Sequence, residues 1–187
     1  MAQSISSQAL ICTYLQDAIA LERAHASKLD SLSTEEADSA IQQLFRQHAA
    51  ETKSQEQRLT SRLKQLGGSP STIKSVYAHL FSIAPKVGAL AHAAVNRDLH
   101  HLILAYAAEQ SEVAMYEAIK VAAQVVGDAQ TSGLIDEIQS EEQLTAQKIW
   151  SLLAQSTRNS VERQTRQEWA PRGEFQPKET PGQSPAV

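Results

Sequence analysis

Apolar residues recur at steps of three and four along four long stretches of this chain, with polar residues between them, the signature of amphipathic helices. The first stripe is Ile11, Leu15, Ala18, Glu22, His25 and Leu29. It predicts a helix from about Ser4 to the low thirties. A second stripe, Ile41, Leu44, His48, Glu51, Gln55, Leu59 and Leu63, predicts a helix ending at Leu66. A third, Leu102, Ala105, Glu109, Glu112, Tyr116, Ile119 and Ala123, fits a helix over roughly Asn96 to Val126. The fourth starts near Asp128 and carries Leu134, Ile138, Glu142, Thr145, Ile149 and Leu152, with Glu141 at its margin.

The breaks between stripes are equally marked. Between the first two helices, Ser33-x-x-Glu36 reads as a capping box, and Asp38 is an alternative cap. Gly67-Gly68 closes the second helix, and Gly127-Asp128 separates the third from the fourth. Before residue 170, prolines occur only at Pro70 and Pro85, inside one long connection. Within it, Thr72 to Ala84 reads as a short amphipathic helix stopped by Pro85. A connection of this length lets the chain cross the bundle. The expected fold is therefore all-α: a ferritin-like antiparallel four-helix bundle with one long crossover containing a short helix. Residues 1–156 are assigned to the bundle. Residues 157–187 begin as a helical extension, to about Trp169, and end as a disordered tail rich in proline and glycine.

Composition agrees with this picture. Aromatic residues make up 5% of 187, glycine and proline are scarce before the tail, and the net charge is −4 with both signs mixed. Such a balance gives no nucleic-acid footprint. No apolar run reaches the length of a membrane span. Cys12 is the single cysteine, so no intramolecular disulfide forms. The N-terminal stretch lacks a basic leader region. The expected location is the cytoplasm.

The chemistry lies in acids set on apolar stripes. Glu22 to Glu51 and Glu112 to Glu141 are both intervals of 29 residues, with midpoints at 36.5 and 126.5. In an antiparallel pair, residues equidistant from the turn lie level, so each hairpin sets two carboxylates at one height. Glu22-x-x-His25, His48-x-x-Glu51 and Glu109-x-x-Glu112 each put two ligands on one helical face. Buried carboxylates without lysine or arginine partners need another cation, and a pair of divalent metals answers that need. Oxygen and imidazole ligands favour iron or manganese over zinc. Read one at a time, these pairs also fit solvated faces or a satisfied core histidine. His100-His101 is expected to be solvated at the start of the third helix.

The segments His48-Ala-Ala-Glu51-Thr52, Glu109-Gln-Ser-Glu112-Val-Ala-Met-Tyr116 and Glu141-Glu142 resemble the YciE/YciF family of ferritin-like, stress-associated bacterial proteins. The likeness covers roughly residues 5–155. It departs from the family at Ala50, Lys53, Gln110 and Ser111, and His25 is an additional imidazole. The resemblance implies a carboxylate-bridged dinuclear centre, iron first and manganese second, with a stress-response or oxidant- and iron-handling role. It implies Glu51 and either Glu141 or Glu142 as bridges, Glu22 and Glu112 as terminal ligands, and His48 and Glu109 completing the set. Tyr116 is either a hydrogen-bonding or redox-active neighbour or a core aromatic. Oxidoreductase activity at such a centre is one expectation. Another is a helical scaffold with a degenerate site, acting as a homodimer or through a partner. A DNA-protecting mini-ferritin cage is disfavoured by the net charge and the absence of a basic arm.

Overall fold

A computed structural model of the protein describes residues 6–70 and 97–168. Among these, all regular structure is helical: α1 (Ser7–Glu35), α2 (Ser39–Gln65), α3 (Arg97–Val125) and α4 (Ala129–Glu168). The short helix expected over Thr72–Ala84 and the tail beyond residue 168 lie outside the described residues.

Each helix end has a local cause. The Ser6 hydroxyl accepts a hydrogen bond from the Ala9 amide at the start of α1. Asp38, rather than Ser33, caps α2, accepting from the amides of Ala40 and Ile41. Asp128 caps α4 through the Thr131 amide and hydroxyl, at 3.0 and 2.6 Å. Both α2 and α3 close on a glycine in the left-handed region, Gly67 at φ 74° and Gly127 at φ 77°. The paired bonds of a Schellman motif follow at each: Gly68 to Leu63 with Gly67 to Lys64, and Asp128 to Ala123 with Gly127 to Gln124.

The helices bury their stripes in two apolar layers. One joins Ile11, Leu15 and Ile19 of α1 to Leu59 and Leu63 of α2, Ile119 and Ala123 of α3, and Ile135 and Ile138 of α4. The other joins Leu29 and Leu32 to Ile41 and Phe45, Leu102 and Ala105, and Ile149. These memberships make α1 antiparallel to α2 and α3, and α4 antiparallel to α2 and α3. The ends of α2 and α3 share one layer, so the connection between them starts at one end of the bundle and finishes at the other, as the expected crossover requires.

Two polar contacts pin the hairpins to each other, one at each end. Arg62 of α2 reaches Asp128, Gln130 and Thr131 at the α3–α4 turn. At the opposite end, Glu36 of the α1–α2 turn lies 2.5 Å from His101 Nδ1, and both are buried. The solvated His101 expected from the sequence is thus corrected: the turn folds over the start of α3 and covers it. A second correction concerns the rotation of α2. Its inward face is Ile41, Phe45, His48, Thr52, Gln55, Leu59 and Leu63, so Phe45 and Thr52 point inward where Leu44 and Glu51 were expected. At 40 residues, α4 is about 60 Å long against about 43 Å for α1 and α3, and it carries the chain past the bundle's end.

Candidate metal centre

Between the two apolar layers lies a polar one. Glu22 and His25 enter it from α1, His48 from α2, Glu109, Glu112 and Tyr116 from α3, and Glu142 from α4, and all are buried. The i, i+3 spacing on α1 and α3 puts both members of each pair on the inward face. No lysine or arginine is among the buried residues described.

The side chains form one contiguous network. His25 Nδ1 lies 2.9 Å from Glu112 Oε2, and its Nε2 lies 3.5 Å from Glu109 Oε1. His48 Nε2 is 2.7 Å from Glu109 Oε1, and the two imidazoles meet edge to face at 5.1 Å. The Tyr116 hydroxyl donates to Glu22 Oε1. Five buried atoms of this layer have no hydrogen-bond partner: Glu22 Oε2, His48 Nδ1, Glu109 Oε2 and both carboxyl oxygens of Glu142. Buried acceptors left this way cost stability unless a proton or a cation reaches them.

Protons reach several of them. Burial, with Glu112 and Glu109 nearby, raises Glu142 to about 11, so it is a neutral acid. Glu109 rises to about 7, through burial opposed by His25. Burial and the charges of Glu112 and Glu142 hold Glu22 well above the carboxylate range. Burial lowers His25, but the charge and hydrogen bond of Glu112 outweigh it, and the imidazole rises to about 10. Burial and the neighbouring His25 push His48 down to about 3, so it is neutral. Neutral His48 donates from Nε2 to Glu109, which leaves a bare lone pair on Nδ1. Burial and Glu22 keep Tyr116 a phenol.

Two groups of atoms in this network have metal-ligand proximity. One atom each from His25, His48 and Glu109 lie within 4.8 Å of one another, and so do one each from Glu109, Glu112 and Glu142. Glu109 belongs to both. The orphaned oxygens and the donor set of carboxylates and imidazoles fit hard or borderline divalent ions.

The remaining acids expected at the centre stand at its margin. Glu51 has a side chain 37% exposed, bonded to Gln47 at 2.8 Å, with Lys148 at 4.0 Å and His48 Nδ1 at 3.9 Å. Glu141 is 44% exposed and is held by Arg58 and Gln55. Of the neighbouring acids in α4, Glu142 points inward and Glu141 outward. His25 proves central, pairing with Glu112 rather than with Glu22 on its own helix. Its place on the α1 stripe was the sequence signal for this.

Fold and site together define an antiparallel four-helix bundle with a buried carboxylate–histidine cluster at mid-height. The chain belongs to the family described as Domain of unknown function (DUF892), whose model matches residues 7–162. Solved structures that share the fold include the following. The Xanthomonas campestris protein XCC3681 is 24% identical with a TM-score of 0.69, covering 86% of this chain and 99% of its own. YcfI from Rhodopseudomonas palustris is 20% identical with a TM-score of 0.70, covering 80% and 96%. The Escherichia coli stress protein YciF is 20% identical with a TM-score of 0.73, covering 83% and 99%. The resemblance to the YciE/YciF family read from the sequence is thereby supported. No curated protein sequence matches the chain. No helix among the described residues is long and apolar enough to cross a membrane.

Proposed function

We propose that the protein is a ferritin-like oxidant- or iron-handling protein with a carboxylate-bridged dinuclear centre of iron or manganese. The observation that carries this reading is that Glu109 belongs to both groups of ligand atoms. His25, His48 and Glu109 hold one ion; Glu109, Glu112 and Glu142 hold the other, with Glu22 beside them. The charges close: four buried carboxylates balance two dications when both imidazoles are neutral. A bound pair of this kind supplies redox chemistry toward dioxygen or peroxide. The chain's own part is to hold the ions away from bulk water, to orient Glu22 through the Tyr116 hydroxyl, and to release its protons as the ions arrive. Metal analysis of protein from iron- and manganese-supplemented cells tests the reading, with about two ions per chain expected. Protein carrying neither metal would sink it.

A second reading is a metal-free helical scaffold, and one observation favours it. The interior neutralises its own charge, through the His25–Glu112 pair and the proton held on Glu142. On this reading chelators leave the melting temperature unchanged, whereas the dinuclear centre predicts a marked drop.

The stress role in the name of the E. coli relative is extended to this chain as a proposal, checked by peroxide survival of a deletion strain. A cytoplasmic homodimer is proposed as the working form. The exposed Ile103 and the exposed Trp150, whose ring lies tilted against Tyr106 at 5.2 Å between centroids, offer a surface for a second copy. Sedimentation at micromolar concentration distinguishes dimer from monomer.

A further inference from the structure

The polar layer is sealed unevenly. On its α1–α3 side, Glu22, His25, Glu112 and Tyr116 are all buried and bonded to one another across the helices. On the α2–α4 side, a groove of about 430 Å³ opens between the helices, lined by Glu51, Ser54, Arg58, Glu141, Thr145 and Lys148. Thr145 is buried and sits one turn beyond Glu142, so the groove floor reaches the layer that holds the acids. The part-exposed carboxylate of Glu51 lies 3.9 Å from a member of the cluster.

That neighbour is His48, which is buried and whose Nδ1 has no partner. Its other nitrogen is committed to Glu109. The free lone pair therefore faces outward, toward Glu51 Oε2 at 3.9 Å. An ion bonded at about 2.1 Å to two ligands spans at most about 4.2 Å between them, so one ion fits this pair. Two protein ligands with water completing the shell make a weak site, suited to passage rather than residence. The other Glu51 oxygen is turned to solvent-side groups, Gln47 at 2.8 Å and Lys148 at 4.0 Å. Lys148 places a positive charge where an arriving cation must pass.

We propose that the α2–α4 groove is the way in for divalent cations, and that Glu51 with His48 Nδ1 is a transit site that passes them to the buried cluster. The inference rests on the dinuclear reading above and adds its route of loading. A glutamate at the surface end and an imidazole at the buried end replace the ion's water in two steps, which avoids stripping it all at once.

Stopped-flow uptake of Co²⁺ by the metal-free full chain, followed by the metal's visible absorption, tests the proposal alongside equilibrium stoichiometry. Glu51→Gln slows uptake at least tenfold and leaves the final number of ions unchanged. Ser54→Trp, which fills the exposed wall of the groove, slows it comparably. Lys148→Gln speeds it. Gln110→Trp, in the separate cleft beside Tyr106 and Trp150, leaves the rate within twofold. Wild-type rates in both Glu51→Gln and Ser54→Trp overturn the route while leaving the centre intact. Loss of a bound ion at equilibrium in Glu51→Gln overturns it too, because Glu51 is then a resident ligand. A wild-type chain that takes up no Co²⁺ overturns both the centre and the route.

Discussion

His25 Nδ1 of α1 lies 2.9 Å from Glu112 Oε2 of α3, and both side chains are buried at the centre of the bundle. The contact supplies the interior with a positive charge in the absence of metal. Removing one partner of such a pair leaves the other charged and unpaired, at a typical cost of about 3–5 kcal/mol. His25→Ala in metal-free protein is expected to lose stability on this scale in urea titrations. A loss below about 1 kcal/mol would show that the pair does not hold the metal-free core.

Tyr116→Phe deletes the hydroxyl that donates to Glu22, whose second oxygen is already without a partner. An unsatisfied buried acceptor costs about 1–3 kcal/mol, so the variant should unfold earlier by that margin. Thermal unfolding of the metal-free protein checks it.

Stability of the metal-free protein should fall as pH rises from 7 to 9. His25, at about 10, and Glu142, at about 11, keep protons in the folded state that the unfolded chain has given up. Both pKa values are raised, so their contribution is present below the unfolded values and is lost as pH climbs toward the folded ones. His48, at about 3, acts in the opposite direction, but only between about pH 3 and 6.5. Denaturation midpoints at pH 7, 8 and 9 measure the slope. A rising trend contradicts the assignment.

Metal loading must displace the same protons. At pH 7 the protons on Glu142 and His25, and part of one on Glu109, give way to the ions, so at least two are released per chain. Calorimetric titration with Mn²⁺ in buffers of different ionisation enthalpy counts them. Release of none would place the ions elsewhere.

Much of this architecture was legible in the sequence because helix burial has a period. The stripes of α1 and α3 point inward residue for residue, and Glu22, Glu109 and Glu112 came with them. Equal 29-residue intervals establish height but say nothing about rotation about the helix axis. That is why Glu51 and Glu141 were expected at the centre and stand at its edge. On α2 the difference is one position: Phe45 and Thr52 face inward, turning Glu51 to the α2–α4 groove. Thr52 carries no apolar signal, so periodicity alone could not fix that rotation. On α4, Arg58 and Gln55 of α2 hold Glu141 outward, a contact between residues more than 80 positions apart. His101 was missed for a similar reason, since its partner Glu36 comes from a turn 65 residues away.

The central claim, two ions sharing Glu109, is tested most directly by anomalous diffraction from crystals of the manganese-loaded protein. The account predicts two peaks about 3.5–4 Å apart on either side of the Glu109 carboxylate, one near His25 and His48 and the other near Glu112 and Glu142. A single peak, none, or peaks that bypass Glu109 would contradict it.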